Sequence, residues 1–562
     1  MNFIRNMSES KKVKGFLKNN IFFLAALAIC IFLVFYNLGE IEFWGEDEAQ
    51  TLLYASRFII GLKNHSLANA TSLYSNTTLS FVILIQVPFI LLFGVCELAS
   101  RMPSAIVTVL TLFVIYKIGL LFLNRKSANF LALLYGVSGA AGLFKSSIGV
   151  GFYIFFILLG FYNIEKYLYA PVKEERGRFL NLQAGLIFVV FALVSVIDAY
   201  FFIPFFIIIL LVNIKKIGLR KFFLSLIAPV VIFLSFIYFE FFLARKLTGM
   251  NNATYEHFLG RRGSLALTFN FTEFIKGLIT SYSIYFLILF VASLVILIVL
   301  LARGKTKVPG PLWRIALLFS FHFFVWMFLM EKENGHSLNS YPVMMLIIAL
   351  AFQEVSGLLE ENKFLRRGTR VTVKIFLTIL LAGVICINFY HTFIVFNNLS
   401  PEKEKYPGIY MPGKIPAGYV WGHKVGIKSA AYLLREDGFF TGGMVSHYGS
   451  AFNFIYMGGE IIVYHSSNAI EYMMEGEDIT EKYKIRYIAI SPDFFNKDYL
   501  DYIDSHGFKK IVITCRGKKI YYVYDVLEKS GEVVVIGRDQ YDREYNKKCT
   551  DIDVALPYFN SF

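Results

Sequence analysis

The stretch Phe43-Trp44-Gly45-Glu46-Asp47-Glu48-Ala49 directly follows a first apolar run, Ile21 to Leu38. That run is long enough to span a bilayer with little to spare. Glu46, Asp47 and Glu48 therefore crowd together just past the end of a span. Gln50, Thr51, Tyr54 and Arg57 follow at spacings that suit an amphipathic surface helix. A carboxylate where a span meets water avoids the full cost of burial yet feels a lowered dielectric. There it can be held as a base or as a metal ligand. The plainer alternative is an acidic loop that only helps to fix topology.

Composition decides the surroundings. Of 562 residues, 56% are hydrophobic, 59 are Phe and only 17% are charged, with a mean hydropathy of +0.56. No water-soluble chain of this length balances its surface that way. Apolar runs separated by Lys/Arg clusters predict a polytopic α-helical membrane protein. The Ile21 run lacks a small-x-small exit and continues into Phe35-Tyr36, unlike a cleaved signal peptide. The net charge of +14 sits mostly between the apolar runs, so it reports orientation and does not imply a nucleic-acid partner.

Arg5, Lys11, Lys12, Lys14 and Lys18 place the N-terminus in the cytoplasm and the acidic loop outside. Thr78 to Val95 is short and contains Pro88; if it spanned, every later basic loop would be inverted. Read as interfacial or re-entrant, it leaves the loops at Arg125-Lys126, Lys173/Arg176/Arg178, Lys215/Lys216/Arg220/Lys221, Arg303/Lys305/Lys307 and Lys363/Arg366/Arg367/Arg370 all cytoplasmic. The count is about eleven spans, with thirteen as the upper bound. The protein is thus expected in the cell (inner or plasma) membrane as a multi-pass chain. Residues 1–397 form the transmembrane domain, with a first outer loop at 39–100.

Three further features share the outer compartment with the acidic loop: the turn at Lys145, the loop from Arg245 to Glu273 with Arg261-Arg262, and Glu331 to Ser340 with Lys332 and His336. Cations outside run against the positive-inside trend and point to an anionic ligand such as a phosphate group. Anionic lipid headgroups are the alternative partner. From Asn397 the long apolar runs stop. Short β-like runs at Gly443 to Ser446, Ile461 to Tyr464, Arg486 to Ile490, Ile511 to Thr514 and Ile520 to Tyr524 alternate with helical patterns at Gly426 to Arg435 and Asn496 to Ser505. Residues 398–562 are therefore expected to form an extracytoplasmic soluble α/β domain.

Cys30 and Cys386 lie within spans as packing residues, whereas Cys515 and Cys549 fall in the outer domain, where a disulfide could form. No Cys/His group has zinc spacing, and Gly438, Gly442 and Gly443 do not make a dinucleotide fingerprint.

Trp44-x-x-Asp47-Glu48, with Tyr54-Ala55 on the following helix, resembles the first outer loop of the C-superfamily (GT-C) glycosyltransferases. Within that family it is most similar to the protein O-mannosyltransferase type and the bacterial aminoarabinose transferase that modifies lipid A. The likeness continues in Leu92-Phe93-Gly94 and in Glu97-Leu98-Ala99-Ser100-Arg101-Met102-Pro103-Ser104-Ala105, and more loosely in Lys332-Glu333-Asn334-Gly335-His336 before Tyr341-Pro342. It differs at Lys145-Ser146-Ser147 and at Asn76-Thr77-Thr78, where relatives carry other motifs, and Asp198 stands near a position that is basic in some of them.

The resemblance implies transfer of a sugar from a polyprenyl-phosphate donor to a glycan, lipid or protein acceptor on the outer face. Asp47 would be the catalytic base and Glu48 its orienter. Arg101, Lys145, Arg261, Arg262, Lys332 and His336 would meet the donor phosphate. No cofactor is implied with certainty; a divalent metal, with Asp47 as ligand, stays open because no second carboxylate partner is evident. The rival classes are a secondary transporter, opposed by the missing internal repeat and the interfacial position of the acids, and a non-catalytic scaffold or binding member of the same fold.

Overall fold

The computed structural model describes residues 20–36, 38–39, 46–63, 65, 80–138, 148–169, 175–239, 284–303, 312–324, 341–361, 367–397, 443–446, 466–483, 485–490, 496–515 and 518–538. The first apolar run forms α1 (Asn20–Phe35). The acidic stretch opens α2 (Glu46–Lys63), and the Pro88 segment is α3 (Ser80–Phe93). At 14 residues α3 is about 21 Å long, too short for a bilayer core of about 30 Å. It ends at Gly94, whose φ of 79° is open to glycine, and the chain reverses at once into α4 (Glu97–Phe122).

The membrane part continues through α5 (Arg125–Gly136), α6 (Ile148–Tyr169), α7 (Glu175–Leu193), a 3-10 turn (Ile197–Phe202), α8 (Ile203–Val212), the short α9 (Ile214–Ile217) and α10 (Leu219–Ile237). Then come α11 (Ile284–Ala302), α12 (Leu312–Phe324), α13 (Tyr341–Glu361) and α14 (Arg367–Asn397). Among the described residues, five helices are long and apolar enough to cross a membrane: α4 and α10 to α14 except α12. Four shorter apolar helices, α1, α3, α7 and α8, accompany them.

One core runs through this part. It joins α1, α4, α5, α6, α7, α8 and α13 through residues such as Ala26, Leu112, Leu131, Phe161, Leu182, Phe205 and Met345. One close crossing is α6 on α7. A Cβ at Gly160 would lie 2.9 Å from Val189 Cγ2, and one at Gly185 would lie 2.8 Å from Ile164 Cγ1. Only glycine lets the two backbones come that close, the small-residue contact that drives helix association in lipid. By contrast, α10 and α14 are largely uncovered and present Phe223, Ile227, Leu234, Phe376 and Ile379 outward. An apolar surface of that extent belongs against acyl chains.

The C-terminal part holds β1 (Gly443–Ser446), α15 (Ser466–Met474), α16 (Ile479–Lys482), β2 (Ile485–Ile490), α17 (Lys497–Ser505), β3 (Lys509–Cys515), β4 (Lys518–Asp525) and β5 (Val533–Arg538). The strands form one mixed sheet in the order β1-β2-β4-β3-β5, parallel at its two outer pairs and antiparallel within. Ile470, Ile479, Ile488, Ile503 and Tyr524 pack the helices onto the sheet. Tyr524 Oη donates to Asp504 Oδ1 at 2.9 Å, and Lys510 Nζ reaches the same carboxylate at 2.7 Å. The β-like runs at Gly443, Arg486, Ile511 and Ile520 are strands, and the Asn496 pattern is α17. The runs at Ile461 and Gly426 lie outside the described residues. The sequence reading missed β5, although Val533-Val534-Val535-Ile536 between Gly531 and Gly537 carries the strand signal.

Cys96 is disulfide-bonded, while Cys30 and Cys386 carry free thiols. The expected Cys515–Cys549 pairing falls on the Cys515 side chain and on Cys549, both outside the described residues.

Candidate active site

Asp47 and Glu48 occupy the first turn of α2, where the unsatisfied backbone N–H groups of a helix start favour negative charge. Their side chains lie outside the described residues. One turn on, Thr51 is buried, and Arg57 lies over the Tyr54 ring at 5.9 Å. Burial pulls the Arg57 guanidinium below its usual value, and Tyr54 partly offsets this.

Arg101 sits in the second turn of α4 and is 1% exposed. Its Nη1 donates to the Leu38 carbonyl oxygen at 3.2 Å. Leu38 is the last residue of the first apolar run, so this bond fixes where the first outer loop begins. The acidic helix begins eight residues further on, at Glu46. Glu97, one turn before Arg101, is also fully buried.

Between α2 and α4 lies α3, which presents one buried amide. Gln86 Nε2 lies 3.5 Å from Thr51 Oγ1, 3.4 Å from Ser100 Oγ and 3.5 Å from the Ser100 carbonyl oxygen. Sequence reasoning passed over Gln86. Its signal was present: it is the one amide in the apolar run Ser-Phe-Val-Ile-Leu-Ile-Gln-Val-Pro-Phe-Ile-Leu-Leu-Phe.

A second buried polar group was also missed. Arg314 Nε on α12 lies 2.6 Å from Glu165 Oε1 on α6. The Arg314 guanidinium and Lys216 Nζ both approach the Tyr169 ring, at 4.3 and 4.4 Å. This cluster is at the end of α6 bordered by cytoplasmic basic loops, away from the acidic turn in the expected topology.

Lys145, Arg261, Arg262, Lys332 and His336 lie outside the described residues. Among the described residues no three His, Cys, Asp or Glu side chains gather as metal ligands.

No family model matches the chain, and no curated protein matches it. Solved structures do. ArnT from Cupriavidus metallidurans in the apo state has a TM-score of 0.56 at 12% identity, with 91% of this chain and 98% of that one covered. The same protein bound to undecaprenyl phosphate gives 0.55 at 13% identity, covering 91% and 99%. The Archaeoglobus fulgidus oligosaccharyltransferase, tethered to an acceptor peptide containing the NVT sequon, gives 0.53 at 12%, covering 90% and 74%. The chain shares the overall fold of these structures. In this chain Gln86 links the acidic helix α2 to α4, and Arg101 of α4 holds the end of the first apolar run at Leu38.

Proposed function

We propose that the chain is an integral-membrane glycosyltransferase that moves a sugar from a polyprenyl-phosphate donor to a glycan, lipid or protein acceptor on the extracytoplasmic face. The observation that carries the reading is the buried Arg101, bonded to Leu38 O at the end of the first apolar run, on a helix that Gln86 links to the acidic helix α2. The fold match, which includes a structure bound to undecaprenyl phosphate, supports it. The disulfide at Cys96 supports an outer location for this end of α4, because disulfides persist on the oxidising side of a membrane. On this reading the N-terminus is cytoplasmic, residues 1–397 are the membrane domain and 398–562 the outer domain.

The reaction asks for two things. The acceptor O–H must lose its proton as its oxygen attacks the anomeric carbon, and Asp47 takes that proton while Glu48 orients it. As the new C–O bond forms, the bond from the anomeric carbon to the phosphate oxygen breaks, and the electron pair leaves on the polyprenyl phosphate. Its growing charge is met by Arg101, whose guanidinium carries five donors. Lys145, Arg261, Arg262, Lys332 and His336 are the other cations assigned to the phosphate. Purified full-length protein given a radiolabelled polyprenyl-phosphate sugar and an envelope extract as acceptor should release free polyprenyl phosphate and label the extract. Absence of turnover alongside intact lipid-phosphate binding would favour the non-catalytic binding member of the fold.

A further inference from the structure

Gln86 belongs to none of the roles above, yet it is where three helices converge. Its side chain is fully buried. Its Nε2 faces Thr51 Oγ1 on α2 and both oxygens of Ser100 on α4, at 3.4 to 3.5 Å. These contacts are at the long end of hydrogen bonding, and two N–H groups are shared among three acceptors. Thr51 lies one helical turn after Asp47, on the same face of α2. Ser100 is the residue before Arg101. The amide thus touches the residues that neighbour the proposed base and the proposed phosphate contact.

The other half of the amide is idle. Gln86 Oε1 has no hydrogen-bond partner, and neither has the buried Ser104 Oγ one turn after Ser100. A buried polar atom left unsatisfied costs about 1–3 kcal/mol. For stability alone, an apolar side chain would serve better here. What an apolar side chain cannot do is hold α2 and α4 in register.

We infer that Gln86 is a positioning residue, an amide tie that sets the separation of the acidic first turn of α2 from Arg101. The inference rests on the proposed transfer reaction for its consequence, though not for the tie itself. A displacement of reacting groups by about 1 Å costs about 10²-fold in rate, so a weak tie is enough to matter.

The test uses purified full-length protein and undecaprenyl phosphate as the probe. Gln86→Leu removes the tie and the idle Oε1 together at similar volume. Its unfolding temperature should stay level or rise. Backbone amides in the first half of α2 should exchange hydrogen at least tenfold faster, and undecaprenyl phosphate should bind about tenfold more weakly. Thr51→Val should reproduce the exchange effect, while Thr51→Ser, which keeps the hydroxyl, should behave as the native protein. A merely structural role predicts the opposite pairing, weaker binding only where stability falls. The inference is overturned if Gln86→Leu leaves both exchange and affinity within twofold of native. Arg101→Ala separates the two ideas: if it binds the probe normally, the proposed phosphate site fails, and the exchange measurement still decides the tie.

Discussion

Arg314 Nε and Glu165 Oε1 stand 2.6 Å apart with both side chains at or below 1% exposure. The pair is a buried Coulombic contact that pins α12 to α6, backed by the Tyr169 ring. Removing one partner strands a charge in a dry place, which costs about 3–5 kcal/mol. Glu165→Ala and Arg314→Ala should each lower the unfolding temperature of the detergent-solubilised protein markedly. Glu165→Leu combined with Arg314→Met should recover most of the loss. Single variants that melt with the native protein would show that the pair holds nothing.

The catalytic assignment is tested at the acidic turn. Asp47→Asn keeps size and much of the hydrogen bonding but cannot accept a proton, so transfer should fall about 10²–10⁴-fold. Glu46→Gln, one position away on the same turn, should change little. The reverse result would move the base to Glu46. If neither variant slows transfer, the turn serves only topology.

Arg101 carries two tasks in the proposed site, the Leu38 carbonyl and the donor phosphate. Arg101→Lys keeps the charge but offers one compact ammonium where a planar fork was needed. It should therefore retain part of the donor affinity and lose more in turnover than in binding. Arg101→Ala should lose both. Equal turnover in native and Arg101→Ala protein would confine Arg101 to holding the loop.

Peptide mapping without reductant should find Cys96 linked and the Cys30 and Cys386 thiols free. Reporter fusions give the matching topological check. Fusions after Ser66 and Ser429 should report the outside and one after Arg176 the cytoplasm. Opposite locations for the first two would place the acidic turn and the outer domain in different compartments.

Much of the fold could be read from local pattern. Apolar runs and the basic loops between them mark α4, α11, α13 and α14, because a span must satisfy its own backbone in lipid and its length is set by the bilayer. The Asn496 stretch reads as a helix because Asn496 caps it, accepting from the Asp498 amide. What the sequence could not show is partnership over distance. Gln86 is visible as a lone amide and Glu165 as a lone acid in apolar runs, but nothing local says that the first meets Thr51 and Ser100, or that the second meets Arg314. Those pairings are decided by which helices pack together, and periodicity carries no such information. Arg101 was legible as a charged residue at a span start; its grip on Leu38 O was not.

The length of α14 has a mechanical consequence. The whole helix is 31 residues, Arg367–Asn397, and its stretch from Ile375 to Phe396 carries no Asp, Glu, Lys or Arg. Those 22 residues make about 33 Å of helix, slightly more than a hydrocarbon core of about 30 Å. A rod of that length fits by leaning in the bilayer. The angle at which it leans sets how far apart its two ends lie in the plane of the membrane.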